Sequence, residues 1–249
     1  MEKATAIVLR VVEWSETSSI VTLFTREFGK LRGVAKGARR PKGPFEAALD
    51  LLAVCRVVFI RKSSDALDLL TEAKLERRFR SWGRDLSRLY AGYYVAELLN
   101  DLTEDHDPHP LLFDAANEIL ADLNSDVPVA PRILRFELTA LGVLGHLPSL
   151  TSCAECGRPV PAVGRVPFSL AAGGVLCSQC RPGKQQVISV SAGVIRALEK
   201  FAEQGSDAWR RIGLDRKTMG ELRGVLNRYL VHLLGHQPRL HKYLAALES

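Results

Sequence analysis

Two stretches near the start decide how the chain folds: Ala4-Thr5-Ala6-Ile7-Val8-Leu9-Arg10-Val11-Val12, and Ser18-Ser19-Ile20-Val21-Thr22-Leu23-Phe24-Thr25. Both are rich in β-branched and apolar residues, and the turn-forming Ser15-Glu16-Thr17 separates them, so they read as the first two strands of a meander. A third strand fits Lys30 to Lys36 after the Phe28-Gly29 turn, and two longer ones fit Leu49 to Arg61 and Leu67 to Leu75. Between the third and fourth, Gly37-Ala38-Arg39-Arg40-Pro41-Lys42-Gly43-Pro44 has too much Gly and Pro for regular structure. Five short strands in about 80 residues predict a small closed barrel. An OB-type barrel is the leading reading, although strand count alone does not separate it from other five-stranded barrels.

Beyond residue 80 the period changes. Leu86, Leu89, Tyr90 and Tyr93 recur at three- and four-residue spacing, as do Leu134, Leu138 and Leu141, and Leu222, Val225, Leu226, Tyr229, Leu230 and Leu233. Further helices fit Leu111 to Leu123 and Ala192 to Gln204. The expected fold class is α+β: an N-terminal five-stranded OB-type barrel over 1–80, then an α-helical domain over 81–249. A Cys-, Gly- and Pro-rich module over 150–185 interrupts that domain.

The formal charge is +6, and its placement carries the information. Residues 1–80 hold 16 Lys and Arg against 10 acids, whereas residues 81–249 hold 18 of each. Arg26, Lys30, Arg32, Lys36, Arg39, Arg40 and Lys42 face one acid, Glu27, within 17 residues. Residues 101–126 carry eight acids and no Lys or Arg, which predicts two separate partner surfaces. Lys30, Arg32 and Lys36 alternate along one strand and so share a face, which Arg39, Arg40 and Lys42 extend into the loop. Such a stripe suits the phosphates of single-stranded nucleic acid, and five contacts would give a log–log salt slope of roughly −3 to −4. Of the nearby aromatics, Trp14, Phe24, Phe28 and Phe45, each is expected in the core before it is expected against a base.

Cys153-x-x-Cys156 and Cys177-x-x-Cys180 are separated by 20 residues, a spacing that can place four sulfurs around one Zn²⁺, expected here to be structural. Two disulfides or four unrelated core cysteines are the competing readings, and disulfides are disfavoured inside a cell. Arg158, Arg165, Arg181 and Lys184 stand close enough in sequence to offset the charge of four thiolates. His232 and His236 have the i, i+4 spacing of a metal pair, but Leu233 stands where a catalytic Glu would be. No phosphate-binding loop, nucleophile elbow or paired-carboxylate arrangement is present, so binding rather than catalysis is expected. No apolar run is long enough to span a bilayer, and Met1-Glu2-Lys3-Ala4 leads straight into a strand pattern with no secretory signal. Both point to the cytoplasm.

Trp14-Ser15-Glu16-Thr17-Ser18, Leu23-Phe24-Thr25-Arg26-Glu27-Phe28-Gly29-Lys30 and Ala35-Lys36-Gly37-Ala38-Arg39-Arg40-Pro41-Lys42 resemble the barrel signature of the bacterial DNA recombination and repair protein RecO family. Arg135-Phe136-Glu137-Leu138 with Leu141, Leu144-Gly145 and Pro148 is similar to that family's helix leading into its zinc module. Gly43, where a Ser is usual, and His241-Lys242-Tyr243, where a Lys-Ser-Arg-like run is usual, depart from the pattern. The resemblance implies a nucleoid-associated mediator, with no enzymatic activity, that binds single-stranded DNA and anneals complementary strands. It also implies work with RecR to load RecA onto DNA coated by single-strand-binding protein. The acidic C-terminal tail of that protein would then meet Arg132 and Arg135 on the helical domain. A nucleic-acid-modifying enzyme stiffened by a zinc knuckle and a purely protein-binding scaffold are the alternatives.

Overall fold

The computed structural model describes residues 1–40, 43–45, 48–62, 66–81 and 85–244. Five strands, β1 (Glu2–Glu13), β2 (Ser19–Thr25), β3 (Gly29–Ala35), β4 (Val54–Ile60) and β5 (Asp68–Arg77), close a barrel in the order β1-β2-β3-β5-β4. Every neighbouring pair is antiparallel except β3 and β5, whose short parallel contact joins Gly33–Ala35 to Asp68–Leu70. The strand pattern follows from period two. Ala4, Ala6, Val8, Val21, Leu23, Leu31, Ala35, Cys55, Val57, Phe59 and Leu70 alternate inward and form one buried cluster. Small residues among them let five strands close on so narrow a core.

The fourth strand begins later than its apolar run suggests, because Ala48–Asp50 turn and Leu52 adopts a left-handed φ of 64°. Leu52 N–H donates to the Val8 carbonyl there, so its hydrogen bond serves β1 before β4 proper starts.

Helix α1 (Leu86–Leu102) starts at an Asp85 cap, whose carboxylate accepts from Ser87 N–H at 2.8 Å. Helix α2 (Pro110–Asp122) has Pro at its first position, where no amide partner is lost. The cross-strand row Ile7–Phe24–Lys30 lies on the outside of the barrel, yet Ile7 and Phe24 are fully buried, and Phe24 meets Phe113 of α2 at 6.2 Å. The link between the two helices runs along β3, where His106 N–H donates to the Lys30 carbonyl at 2.7 Å. Gly29 makes that approach possible. Its φ is +69°, and a Cβ there would stand 2.1 Å from the Asp107 carbonyl oxygen. Gly29→Ala is therefore expected to cost at least about 2 kcal/mol, ~4–8 °C in melting temperature, measurable by scanning calorimetry. An unchanged melting point would mean that the strand and this link do not touch.

Two compact units result: Met1–Val129 with Lys242–Leu244, and Ala130–His241. The change from strand to helix near residue 80 falls inside the first. The second unit holds most of α3 (Val129–Val143), then a three-stranded sheet of β6 (Arg165–Ser169), β7 (Gly174–Val175) and β8 (Val187–Ser191) in the order β7-β6-β8. Helices α4 (Ala192–Ala202) and α5 (Arg216–Leu234) follow, with a 3-10 turn at Ala208–Arg211 between them; of the short α6 (His241–Leu244), only His241 belongs to this unit. Leu150, Val166, Phe168 and Val175 of the cysteine-rich module share one buried cluster with Leu134, Leu198, Phe201, Leu226 and Leu230. The module is therefore part of that unit's core. Among the described residues, no helix is long and apolar enough to cross a membrane.

Candidate nucleic-acid interface and metal centre

Register decides which cations meet. Beyond Val8 a bulge at Leu9 shifts β1, and the resulting pairs Arg10↔Thr22 and Thr22↔Arg32 set two guanidinium groups on one outer face. The next row, Val12↔Ile20↔Val34, is apolar on the same face. Lys36 continues the outward alternation of Arg32 and Val34 just past the end of β3. The following loop is tied to the β1–β2 turn by Arg39, whose N–H donates to Thr17 O at 3.1 Å and whose guanidinium donates to Ser15 O and pairs with Glu13 at 3.1 Å. Lys36, Arg39 and Arg40 are all exposed. Lys42 lies outside the described residues.

Lys30 is a correction. Its ammonium, only 12% exposed, donates to the carbonyls of Asn100 and Thr103 at 2.7 and 2.6 Å and lies 3.8 Å from Asp105. It stabilises the negative end of α1 and is not offered to a ligand. Arg32 pairs with Asp105 at 3.0 Å but stays 58% exposed, and an exposed pair of this kind holds only ~0–1 kcal/mol, so a phosphate can displace it. Arg26 forms a two-toothed pair with Asp114. The acidic stretch thus neutralises part of the basic stripe within one unit, where its composition suggested a separate partner surface. Among the described residues, Arg10, Lys36 and Arg40 make no ion pair.

Sequence reasoning missed Arg10, because only the bulged register joins it to Arg32. It also ranked Trp14 with the core aromatics. Phe24 and Phe45 are buried and Phe28 packs edge-on against Phe59 at 5.4 Å, but Trp14 is exposed.

The four cysteine sulfurs lie within 4.8 Å of one another, and those of Cys156 and Cys177 are 3.8 Å apart. A tetrahedral metal with ~2.3 Å bonds to sulfur requires S···S edges of about 3.8 Å, far longer than a disulfide. Each pair sits on its own turn. Gly157 N–H donates to Cys153 O at 2.8 Å with φ of +71°, and Arg181 N–H donates to Cys177 O at 3.1 Å. Lys184 and Glu155, 2.7 Å apart, link the two turns.

The Cys177 backbone N–H pulls the Cys153 thiol down to about 6, and the Arg158 backbone and side chain lower Cys156. Hydrogen bonds that the Cys180 thiol gives to Cys156 and Cys177 hold its proton and push that thiol up to about 12. Four sulfurs this close cannot all ionise unaided, and a divalent cation at their centre removes that conflict. Of the four neighbouring cations expected to offset the charge, Arg158 bonds directly to a sulfur, whereas Arg165 turns to Glu221 at 3.1 Å. Among the described residues this is the one such ligand group, and His232 with His236 is not part of one.

Arg135 donates to the carbonyls of Phe201 and, at 2.9 Å, Glu203, closing the end of α4. The Arg132 guanidinium stands 5.9 Å from the centre of the Trp209 ring. Structural duties therefore engage both.

Comparison with known proteins agrees with this architecture. Residues 1–79 match the profile described as recombination protein O N terminal, and residues 83–242 match recombination protein O C terminal. A protein named DNA repair protein RecO from Rhodopirellula baltica is 42% identical, covering 96% of this chain and 97% of the relative. Namesakes from Anaeromyxobacter dehalogenans (35% identical, 97% of this chain, 95% of the relative) and Halalkalibacterium halodurans (32%, 99% and 95%) are similar over the same extent. With both halves matched in order and the barrel, helices and cysteine cluster all in place, the chain belongs to the recombination protein O (RecO) family.

Proposed function

We propose that this chain serves DNA repair by binding single-stranded DNA on the outer face of β1–β3 and the loop after it, and by annealing complementary strands. The observation that supports the reading is that Arg10 and Arg32 share that outer face, with the exposed Lys36 and Arg40 following in the loop after β3. The names of the relatives support the repair role. Annealing breaks no covalent bond. A cationic surface that neutralises two polyanions lowers their repulsion and raises their encounter rate, so no catalytic residue is needed.

In this reading the protein acts on the nucleoid in the cytoplasm, with RecR, to help RecA replace single-strand-binding protein. The acidic tail of that protein docks on the helical unit near Arg132, while Arg135 holds the local backbone in place. The metal is Zn²⁺, which four thiolates enclose completely. It holds two turns together and leaves no position open for a substrate.

The test is fluorescence anisotropy with a labelled oligonucleotide across a salt series. Four cations predict a slope of about −3 for single strands. Lys36→Glu with Arg40→Glu, which spares the Arg39 tie, is expected to weaken binding by ~100-fold and to remove about 1.4 from that slope. Salt-independent binding, or a double variant that binds normally, would refute the interface and favour a protein scaffold.

A further inference from the structure

Phosphate contacts leave three features of the barrel face unused. Trp14 is 67% exposed at the β1–β2 turn, a costly place for a large apolar ring. The turn that carries it is fixed: Trp14 N–H and Ser15 N–H both donate to Ser18 O, at 3.0 and 3.2 Å, and Ser18 N–H donates to Ser15 Oγ. Beside it the row Val12–Ile20–Val34 faces outward, with Val12 39% exposed.

The cations border this apolar strip rather than mixing with it. Arg10 and Arg32 lie one row to one side, and Lys36 with the Arg39–Arg40 loop lies to the other. A duplex offers phosphates but hides the faces of its bases. An acidic peptide carries aromatic rings only at scattered positions. An unpaired polynucleotide presents an anionic group and a bare aromatic face at every repeat, which is the pattern this strip complements.

We propose that Trp14 stacks an unpaired base, with Val12, Ile20 and Val34 as the apolar floor beside it, next to the phosphate contacts of Arg10 and Arg32. The face then selects single strands over duplex by their exposed bases. This rests on the interface described above and assigns it a ligand feature beyond charge.

The test uses the full chain and two labelled oligonucleotides of equal length, one of thymidines and one with abasic tetrahydrofuran residues. Trp14→Ala is expected to lose about 5- to 100-fold on the thymidine strand and little on the abasic one, with its salt slope unchanged. Trp14→Phe is expected to keep most of the affinity. An unchanged melting temperature shows that the fold is intact. Equal losses on both strands, or no loss on either, overturn the stacking role. If the wild-type chain binds both strands equally and with a steep salt slope, the phosphate interface stands and the base contact falls. If it binds neither, both fall together.

Discussion

Removing the metal, by Cys153→Ala or by a strong chelator, is expected to abolish cooperative unfolding of residues 130–241 while the barrel still melts as before. Besides the four clustered sulfurs, the two turns are joined by the Lys184–Glu155 pair and by the Ala154 N–H, which donates to the Val175 carbonyl just before the second turn. In small zinc-dependent folds the metal supplies apparent binding energies of about 10–16 kcal/mol, comparable to the whole stability of a domain. The effect should spread because Leu150, Val166, Phe168 and Val175 belong to the same buried cluster as α4 and α5. Hydrogen exchange read by mass spectrometry should show protection lost across β6–β8 and along α5, and metal analysis should find about one zinc per intact chain. Alkylation of the chelated protein, with its barrel still folded, should modify four thiols. Cys55 stays unreacted, since burial pushes its thiol up to about 12. A zinc-free chain with undisturbed exchange in β6–β8 would show that the metal is dispensable.

Glu137→Ala should be the most damaging substitution away from the metal. Its side chain is fully buried and accepts from Arg223, itself 10% exposed, at 2.5 Å across the core between α3 and α5. Removing one partner of such a pair costs about 3–5 kcal/mol because the guanidinium stays in the interior without its carboxylate. Urea unfolding should register this as a lower midpoint with little change in slope. The double variant Glu137→Leu with Arg223→Met should recover most of the loss, because apolar groups of similar volume need no charge partner. Two single losses that simply add in the double variant would show that the residues do not interact.

What the sequence made legible was local. Strand alternation, helical period and the two cysteine pairs each depend on residues within a few positions, and the elements they indicate are all present. The set proposed to face phosphate was only half legible, since charge and alternation mark Lys30, Arg32 and Lys36 alike. Lys30 is lost to the helix carbonyls at residues 100 and 103, a contact that no local pattern announces. Arg10 joins Arg32 only through the bulge at Leu9, one residue that changes which side chains share a face. The acid-rich stretch misled for a related reason, because composition counts charges but cannot say that Asp105 and Asp114 turn back onto Arg32 and Arg26.

Phe24 is an outward-pointing ring that water never reaches, and this limits how the gene can be divided. A reading frame stopped after Arg80 would keep every strand of the barrel yet strip the cover from Ile7 and Phe24, leaving a sticky flank and an ammonium at Lys30 with no carbonyls to serve. The compact unit that contains the barrel extends through α2 to Val129, so a gene fragment meant to keep that flank dry should encode both helices with the barrel they shelter.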